Sequence, residues 1–427
     1  MTSQWFKNTL LRLVERYRIG NVDKLYDTIR KSNDLNTFSS DLLSQLLKSA
    51  ESETIYYSNE NNGLVTKKQI QNNREQFISS GFHPGRYVNS SGGSTGSPVS
   101  FLQDREYRSW CRATEKYYFQ NFLGIDYDRT PKVVLWGSER DALRQRDISG
   151  QIYNWITNTL FLNSFKISDQ IMAEYVNTIN AVRPVFIKGY AGSLYELAKF
   201  IEINKLQLPN LRFAYSAAEQ LRPEMRKQIE KVFNCKVFDF YGSREVGPIA
   251  GECEFGSMHI FSFNNLVRIF DFKKNKEVQN NAEGRIIVTN LHNYSMPLIQ
   301  YEIGDTGVLS GQKCKCGSEL PVLKQISGRI TDHFVSSNDG LIHGEFFTHL
   351  FYHRPWIKQF QVVQEKRHLV KILFVPSGQV DQGQKKEIEE KMHKLLGTSC
   401  KIVWIKKNSI ETTSQGKYLY TKSLLQH

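Results

Sequence analysis

The run of small and turn-forming residues at 90–98, SSGGSTGSP, is the clearest sign of chemistry in the sequence. Glycine lets the backbone fold closely around an anion, and backbone N–H and hydroxyl groups can donate hydrogen bonds to it. The run lacks the Gly-Lys-Ser/Thr ending of a P-loop and the spacing of a dinucleotide-binding loop. Because the flanking segments RYVN and VSFL have the pattern of strands, a phosphate-binding loop is favoured over the alternative, a flexible linker.

Two polar turns are predicted at the ends of neighbouring strands. YGSRE at 241–245 follows one predicted strand, and SAAE at 216–219 ends the strand before it. In open parallel sheets, ligands bind at the carboxyl ends of the strands. An aromatic ring, a glycine turn and a carboxylate at that edge could bind a nucleotide base and a magnesium ion. For either turn alone, an ordinary connection with a solvated glutamate is the alternative.

Two further segments carry a charged residue in a glycine-containing turn. In YEIGDTG at 301–307, the carboxylate of Asp305 could accept hydrogen bonds from both hydroxyls of a ribose. In TTSQGKY at 412–418, Lys417 lies in a polar loop. Taken alone, each is also explained as a turn aspartate or a solvated lysine.

Four thiol and imidazole side chains fall in two short segments about 55 residues apart. Cys253 and His259 form the first pair, and Cys314 and Cys316 form the second. Such a set suits tetrahedral Zn²⁺, and because the protein would supply all four ligands, a structural role is favoured over a catalytic one. Unmetallated thiols are the alternative. The other three cysteines have the pattern of ordinary buried thiols: Cys111, Cys235 and Cys400.

Aromatic residues and a lysine near predicted strand ends could line a pocket for an organic acid. Lys188 could pair with a carboxylate there. The alternatives are a packed aromatic core and a solvated lysine. The candidate acid-binding residues are Trp136, Lys188, Gly189, Tyr190 and Tyr215.

The elements that must position these residues follow from the hydrophobic pattern. Short apolar runs alternate with helical patterns between 130 and 245, which predicts a mostly parallel sheet. Short strands with polar turns at 259–310 predict an antiparallel sheet or a small barrel. The predicted strands are 132–136, 185–189, 211–216 and 236–242, and the predicted helices are 168–183, 193–204 and 222–233.

The predicted fold class is therefore α/β. It has a large N-terminal body with mostly parallel sheets and a small β-barrel-like part, followed by a small mobile α+β C-terminal domain. We expect a body at 1–329 and a lid at 330–427, which contains a predicted helix at 384–397. Within the body we expect a helical part at 1–85, an α/β core at 86–250 and a β-rich part at 251–329.

Composition excludes several classes of protein. The chain has 427 residues and 40% hydrophobic content, but no apolar run approaches the ~18 residues needed to span a bilayer. We find no secretory signal, so we expect a cytoplasmic protein without stable membrane insertion. A basic amphipathic helix at the N-terminus could pack on the core or lie on a membrane. The net charge of +13 is spread along the chain, which argues against a nucleic-acid-binding arm.

Taken together and in this order, the motifs resemble those of the adenylate-forming ligase superfamily. The resemblance is greatest to the phenylacetate–CoA ligase-like branch, which includes capsule polysaccharide-associated members. It covers about residues 85–425 and rests on the 90–98 loop, SAAE, YGSREVG, YEIGDTG, SGRITD and SQGK.

The resemblance implies a reaction in two steps. A carboxylate attacks the α-phosphate of ATP, which gives an acyl-adenylate and pyrophosphate, and a second nucleophile then takes the acyl group. By resemblance, Glu245 would bind Mg²⁺, Tyr241 would lie by the base, and Lys417 would stabilise the charge of the first step together with Thr95. The residues that would contact ATP are Ser91, Gly92, Gly93, Ser94, Thr95, Gly96, Ala218, Glu219, Tyr241, Gly242, Ser243, Asp305 and Arg329.

Departures from the family pattern bear on the acyl acceptor. Thr331 stands where the family's hinge usually has Asp or Lys, and the stretch at 333–347 replaces a familiar segment of CoA ligases. We therefore expect an amine or hydroxyl acceptor, for example in surface polysaccharide or secondary-metabolite biosynthesis, with CoA as the alternative. A zinc-containing nucleic-acid-binding protein and a catalytically inactive relative are more distant alternatives. The sequence leaves open whether the protein is a monomer or a homodimer.

Overall fold

The computed structural model describes most of the chain, in two compact units. The first unit contains the described residues up to 303 together with 307–326, and the second contains 304–306 and the described residues from 327 onwards. The boundary expected at 329/330 stays a prediction. The described residues are 2–32, 34–59, 63–90, 99–136, 148–164, 169–329, 333–337, 341–351, 354–411 and 419–425.

The described residues from 2 to 77 are mostly helical. Side chains define several helix starts: Asp34 accepts hydrogen bonds from the N–H groups of Asn36 and Thr37, and Thr66 and Gln69 form a reciprocal capping box. The elements are α1 (Thr2–Arg18), α2 (Val22–Lys31), α3 (Leu35–Glu53), α4 (Ile55–Ser58), α5 (Lys67–Asn73) and a 3₁₀ turn (Arg74–Phe77).

Two short strands flank the predicted phosphate-binding loop. They are β1 (Tyr87–Ser90) and β2 (Ser100–Gln103), which pair antiparallel so that Ser90 lies opposite Ser100. The strand pattern expected on both sides of the loop is confirmed. The loop residues themselves, 91–98, lie outside the described part of the chain.

Five parallel strands form one half of the main sheet; the alternating pattern predicted four of them and missed the strand at 159–163. They lie in the order β4, β3, β5, β6, β7, and helices connect them. Pro223 occupies the first turn of the last helix, where its missing N–H costs nothing. The strands are β3 (Lys132–Trp136), β4 (Thr159–Asn163), β5 (Phe186–Gly189), β6 (Phe213–Ala217) and β7 (Lys236–Ser243). The helices are α6 (Arg105–Asn121), α7 (Ile148–Ile156), α8 (Asp169–Val182), α9 (Ala191–Ile203) and α10 (Pro223–Phe233).

The other half of the same sheet is largely antiparallel. It continues from β7 in the order β8, β9, β13, β12, β11, β10, which makes eleven strands among the described residues. Of the two arrangements expected for 259–310, the structure has the antiparallel sheet. The strands are β8 (Gly247–Glu252), β9 (Met258–Ile260), β10 (Asn265–Phe270), β11 (Glu283–Asn290), β12 (Tyr301–Leu309) and β13 (Val322–Arg329).

An aromatic core packs between helix α6 and the parallel strands. The rings of Phe186 and Phe213 stack across β5 and β6 at 4.8 Å between centroids, and Tyr215 lies 5.1 Å from Phe119. Tyr118 anchors the helix because its hydroxyl donates to the carbonyl of Glu252 at 2.8 Å. These rings fix the helix against the sheet.

The second unit is a small α+β structure, as expected. Its four-stranded sheet has the order β18, β17, β16, β19, with β16 and β17 antiparallel. Helix α12 packs Ile388 and Met392 into a core that also contains Phe351 and Phe360. The fold class predicted from the sequence is thereby confirmed. The elements are β14 (His333–Val335), β15 (Leu341–His343), α11 (Gly344–Phe351), β16 (Ile357–Lys366), β17 (Leu369–Pro376), α12 (Gln382–Leu396), β18 (Lys401–Lys406) and β19 (Thr421–Ser423).

Within the described ranges, the helices are too short or too polar to traverse a lipid bilayer.

A row of polar residues crosses the middle of the main sheet. Ser216 on β6 lies opposite Asp239 on β7, and a carboxylate oxygen of Glu252 on β8 accepts the backbone N–H of Asp239 at 2.8 Å. Glu252 also accepts two hydrogen bonds from Arg226 of α10. Burial and the neighbouring charge of Glu252 raise the pKa of Asp239 to about 7, although Arg226 opposes this shift.

The raised pKa of Asp239 predicts a pH-dependent stability. In the unfolded chain its pKa is near 3.8, so between pH 4 and 7 the folded state binds this proton more tightly. The associated stabilisation is complete below pH 4 and is lost as the pH rises to about 7. Asp239→Asn cannot ionise, and we expect its melting temperature to exceed that of the wild type by several degrees at pH 8 and by little at pH 4.

Thermal melts at both pH values measure this difference, with the exposed Asp41→Asn as the matched control. A melting-temperature difference of the same size at pH 4 and pH 8 would contradict the assignment of the pKa shift to Asp239.

Candidate active site and thiol–imidazole cluster

The carboxyl ends of four parallel strands meet at one edge of the main sheet. β3 ends at Trp136, β5 at Gly189, β6 at Ala217 and β7 at Ser243. The strand pairing aligns Leu135, Gly189 and Ser216 in one row. The structure therefore brings the turns that follow these strands, which the sequence singled out separately, to a common edge.

Glu245 lies in the tight turn between β7 and β8, and its side chain is buried. One carboxylate oxygen lies 3.5 Å from the ammonium nitrogen of Lys67, at the start of α5. This ion pair is long, and it leaves the carboxylate able to accept a further cation. The sequence did not predict the contact between Lys67 and Glu245, because the two residues are 178 positions apart and no local pattern links them.

Buried side-chain amides fix the backbone of this turn. Gln103 of β2 donates to the carbonyls of Arg244 and Glu245 at 2.8 and 3.2 Å. Asn265 and Asn290 both donate to the carbonyl of Val246, at 3.0 and 3.1 Å. Asn264 and Asn265 donate to the carbonyl of Pro248. We call Gln103, Asn264, Asn265 and Asn290 the amide cluster; the sequence analysis did not identify it.

Glycine is required at Gly247 for two reasons. Its φ angle is +71°, in the left-handed region, and a Cβ atom there would lie 2.4 Å from Sγ of Cys111. Ser243 closes the turn because its hydroxyl accepts the N–H of Val246 at 3.3 Å. The YGSREVG motif is thus a close-packed turn that places Glu245.

The turn after β6 contacts the start of helix α9. A carboxylate oxygen of Glu219 accepts the N–H of Gly192 at 2.8 Å, where the helix dipole favours negative charge. Ala218 has a φ of +68°, an uncommon conformation for a residue with a side chain. This strained residue and the carboxylate together tie the end of β6 to the end of β5.

The candidate acid-binding residues divide into two groups. Trp136 and Tyr190 have ring centroids 4.1 Å apart at the strand-end edge. Tyr215 instead lies in the aromatic core, with no exposed surface, which agrees with the core alternative for this residue. Lys188 lies between the groups, with its ammonium near the rings of Trp136 and Tyr215.

Cys253, His259, Cys314 and Cys316 come together in the antiparallel half of the sheet. Their four ligand atoms all lie within 4.8 Å of one another. The sulfur atoms of Cys253 and Cys314 are 3.7 Å apart, and Sγ of Cys316 is 3.2 Å from Nε2 of His259. A tetrahedral zinc ion with Zn–S bonds of ~2.3 Å would separate two sulfurs by about 3.8 Å.

Surrounding contacts orient these four groups. His259 is fully buried, and its Nδ1 lies 3.3 Å from the carbonyl of Leu320, so a proton on Nδ1 leaves Nε2 free to bind a metal. Burial disfavours the thiolate of Cys314, but hydrogen bonds from Ser257 and Cys316 lower its pKa to about 6. The donor set and its spacing fit zinc.

The other predicted residues are placed as follows. Tyr241 lies on β7 opposite Ala250, and Gly242 begins the bulge that follows it. Asp305 lies on β12 beside Gly304, whose φ is +91°, and Arg329 ends β13. The residues that lie outside the described part of the chain are Ser91, Gly92, Gly93, Ser94, Thr95, Gly96 and Lys417.

Comparison with known proteins adds to this geometry. A family model described as the CapK C-terminal domain matches residues 334–423. Protein CapK of Staphylococcus aureus is 25% identical over 407 residues, which is 92% of this chain and 86% of that protein. The phenylacetate-coenzyme A ligase of Thermus thermophilus is 27% identical over 176 residues, 40% of this chain and 39% of that enzyme.

Solved structures share the fold. A 2-hydroxyisobutyryl-CoA ligase in the postadenylation state has a TM-score of 0.66 at 16% identity, covering 91% of this chain and 89% of its own. In sequence and in fold, the chain is similar to members of the adenylate-forming ligase superfamily. Another ligase with this fold, the anthranilate CoA ligase AuaEII in complex with anthranoyl-AMP, has a TM-score of 0.55 at 15% identity, covering 77% of this chain and 65% of its own.

These similarities confirm the resemblance inferred from the motifs, including its capsule-associated branch, and support the expected enzyme class, an AMP-forming ligase. They favour the ligase interpretation over the nucleic-acid-binding alternative. Within an adenylate-forming ligase, the common strand-end edge is the natural candidate for the active site.

Proposed function

We propose that the protein activates a carboxylic or amino acid as an acyl-adenylate and then transfers the acyl group to a second nucleophile. The supporting observation is the convergence of the turns after β5, β6 and β7 at one edge, with the buried carboxylate of Glu245 among them. In the first step, a carboxylate oxygen of the acid bonds to the α-phosphorus of ATP, and the bond to the pyrophosphate oxygen breaks.

The residues proposed to bind ATP follow the family pattern. The 91–96 loop would donate hydrogen bonds to the β- and γ-phosphates, Glu219 and Tyr241 would lie by the base, and Asp305 would accept the ribose hydroxyls. Arg329 would approach the ribose or phosphate side. Lys417 would stabilise the negative charge that develops at the α-phosphate, since a cation in a water-poor site acts most strongly there.

Glu245 is the residue proposed to hold a magnesium ion. Mg²⁺ in nucleotide sites is bound by one or two carboxylates together with phosphate oxygens. A buried carboxylate whose ion pair with Lys67 is 3.5 Å long fits that requirement. The ion would neutralise charge on the phosphates when bound. The amide cluster would keep Glu245 in place throughout.

We propose an amine or hydroxyl group as the acyl acceptor, with a role in surface polysaccharide or secondary-metabolite biosynthesis. Support comes from the match of residues 334–423 to the CapK C-terminal domain, a range that includes most of the 333–347 stretch that departs from CoA ligases. CoA is the second candidate acceptor, because a phenylacetate-coenzyme A ligase is among the relatives.

We also propose that the thiol–imidazole cluster holds a structural zinc ion. The cluster supplies four protein ligands, so no coordination position remains for a substrate. Its metal would join the turn after β8 to the segment between β12 and β13. We further infer that the protein acts in the cytoplasm on small molecules and does not bind nucleic acid.

The proposed first step predicts acid-dependent exchange of labelled pyrophosphate into ATP. A panel of carboxylic and amino acids should contain at least one that supports exchange by the wild type. Lys417→Ala should lower the exchange rate by about 10²–10³-fold, the range seen when one charge-stabilising group is removed, while ATP still binds.

The exposed Lys407→Ala in the same unit is the matched control and should retain full exchange. Unchanged exchange in Lys417→Ala would rule out the role given to Lys417. The proposed function itself would fail if no acid in a broad panel supported exchange.

The acceptor is tested once an active acid is known. AMP release with that acid should remain slow with CoA and rise on addition of an amine or hydroxyl acceptor, because only a competent nucleophile discharges the adenylate. Formation of an acyl-CoA thioester, detected by mass spectrometry, would instead establish CoA as the acceptor.

Metal analysis of the purified protein should find about one equivalent of zinc. The double variant Cys314→Ser, Cys316→Ser should lose it and melt at a lower temperature, since structural metal binding contributes directly to folding free energy. Cys235→Ser, away from the cluster, is the control and should keep its zinc. Less than a tenth of an equivalent in the wild type would exclude the metal.

A further inference from the structure

Lys188 is a cation enclosed by aromatic rings. Its ammonium nitrogen lies 5.1 Å from the ring centroid of Tyr215, 5.6 Å from that of Tyr127 and 5.7 Å from that of Trp136. Within the described part of the chain, this nitrogen makes no hydrogen bond or ion pair. Burial lowers the pKa of Lys188.

A neighbouring buried lysine, Lys132, shows how this chain satisfies an ammonium group that has a structural role. The ammonium of Lys132 donates hydrogen bonds to the carbonyls of Tyr127, Thr130 and Thr157, at 2.6, 3.4 and 2.5 Å. The ammonium of Lys188, one strand away on β5, contacts only the faces of aromatic rings. Cation–π attraction to these rings offsets part of the free energy lost with the hydrating water. The contrast leaves the ammonium of Lys188, a partly exposed residue, available to a ligand.

The acidic side chain whose charge acts most strongly on Lys188 already has a partner. Glu115 raises the pKa of Lys188 through its charge, but its carboxylate lies 3.5 Å from the guanidinium of Arg112. A second polar atom close by is unsatisfied as well: the hydroxyl of the fully buried Tyr215 has no hydrogen-bond partner among the described residues. The ammonium of Lys188 on this aromatic wall is therefore the candidate group for binding an anion, and the enclosed hydroxyl of Tyr215 adds to the polar character behind it.

The position of Lys188 separates it from the reacting carboxylate. In the proposed function, that carboxylate lies at the α-phosphate, near the metal that Glu245 would bind after β7. β5 and β7 are two strands apart in the sheet, which corresponds to about 10 Å between strand axes. Lys188 therefore faces the far end of the acid and not the end that reacts.

We propose that the organic acid activated by this protein carries a second anionic group, and that Lys188 binds this group at the aromatic wall formed by Tyr127, Trp136 and Tyr215. The substrate class is a dicarboxylic acid or another acid with a distal anion. This proposal rests on the proposed adenylation function and deepens it. Lys188 then determines specificity and takes no part in the chemical step.

The test compares each dicarboxylic acid with its own monoamide in pyrophosphate exchange. The series is succinate, glutarate, adipate and isophthalate, and a phosphorylated hydroxy acid with its dephosphorylated form serves as a further arm. For the preferred acid, the wild type should show a kcat/KM ratio of dianion to neutral partner of about 10–100, the range for a hydrogen bond to a charged group. Lys188→Met should reduce this ratio to near 1, and Lys188→Arg should retain most of it.

Lys199→Met, at a partly exposed position on α9 where the lysine pairs with Glu196, is the matched control and should leave the ratio and the activity unchanged. Thermal melting provides a second readout: Lys188→Met should melt at the same or a higher temperature than the wild type, because it removes an unpaired buried charge. A lower melting temperature with an unchanged ratio would show that Lys188 is structural and overturn the proposal.

The adenylation function and the distal anion site are tested separately by these measurements. If no acid supports exchange, the adenylation function is wrong. If monoamides and dianions are used equally well, and Lys188→Met does not alter their ratio, adenylation stands and the distal anion site is wrong.

Discussion

The position of Glu245 depends on buried amide side chains that satisfy buried carbonyl groups. Where β7 turns into β8, a bulge at Tyr241 and Gly242 interrupts the regular pairing of the strands. Each backbone carbonyl left without a strand partner in a dry interior costs free energy comparable to a lost hydrogen bond. The amide cluster meets that need. Its members come from β2, from the start of β10 and from β11, so the turn is fixed by segments distant in sequence.

This arrangement explains why the fold could be predicted from the sequence more fully than the site. Parallel strands and amphipathic helices repeat with local periods, and the expected segments at 132–136 and 236–242 agree with β3 and β7. Cys and His are rare enough that a cluster of four stands out by type alone. The ion pair of Glu245 with Lys67, by contrast, joins common residues far apart in sequence, and no local period marks such a contact. Asn264 and Asn265 have the composition of a turn, although both are buried.

Tyr215 shows the limit of assigning a role by position. It lies two residues before the end of β6, which suggested a pocket, but alternation along the strand turns its ring towards helix α6 and the aromatic core. Lys188 points to the same side of the sheet because the two residues are cross-strand partners. The same aromatic rings therefore have two roles. They pack the core of the body, and they surround the ammonium that is proposed to select the ligand.

The order of strands in the main sheet also constrains how the chain can be synthesised. β9, at 258–260, pairs with β13, at 322–323, and the second pair of cluster cysteines lies just before that strand. On the ribosome, β9 therefore presents an open edge until more than sixty further residues have emerged. Exposed strand edges invite pairing with other chains. During this interval the parallel half of the main sheet can already form, but the antiparallel half is incomplete. The risk of aggregation is therefore greatest late in translation.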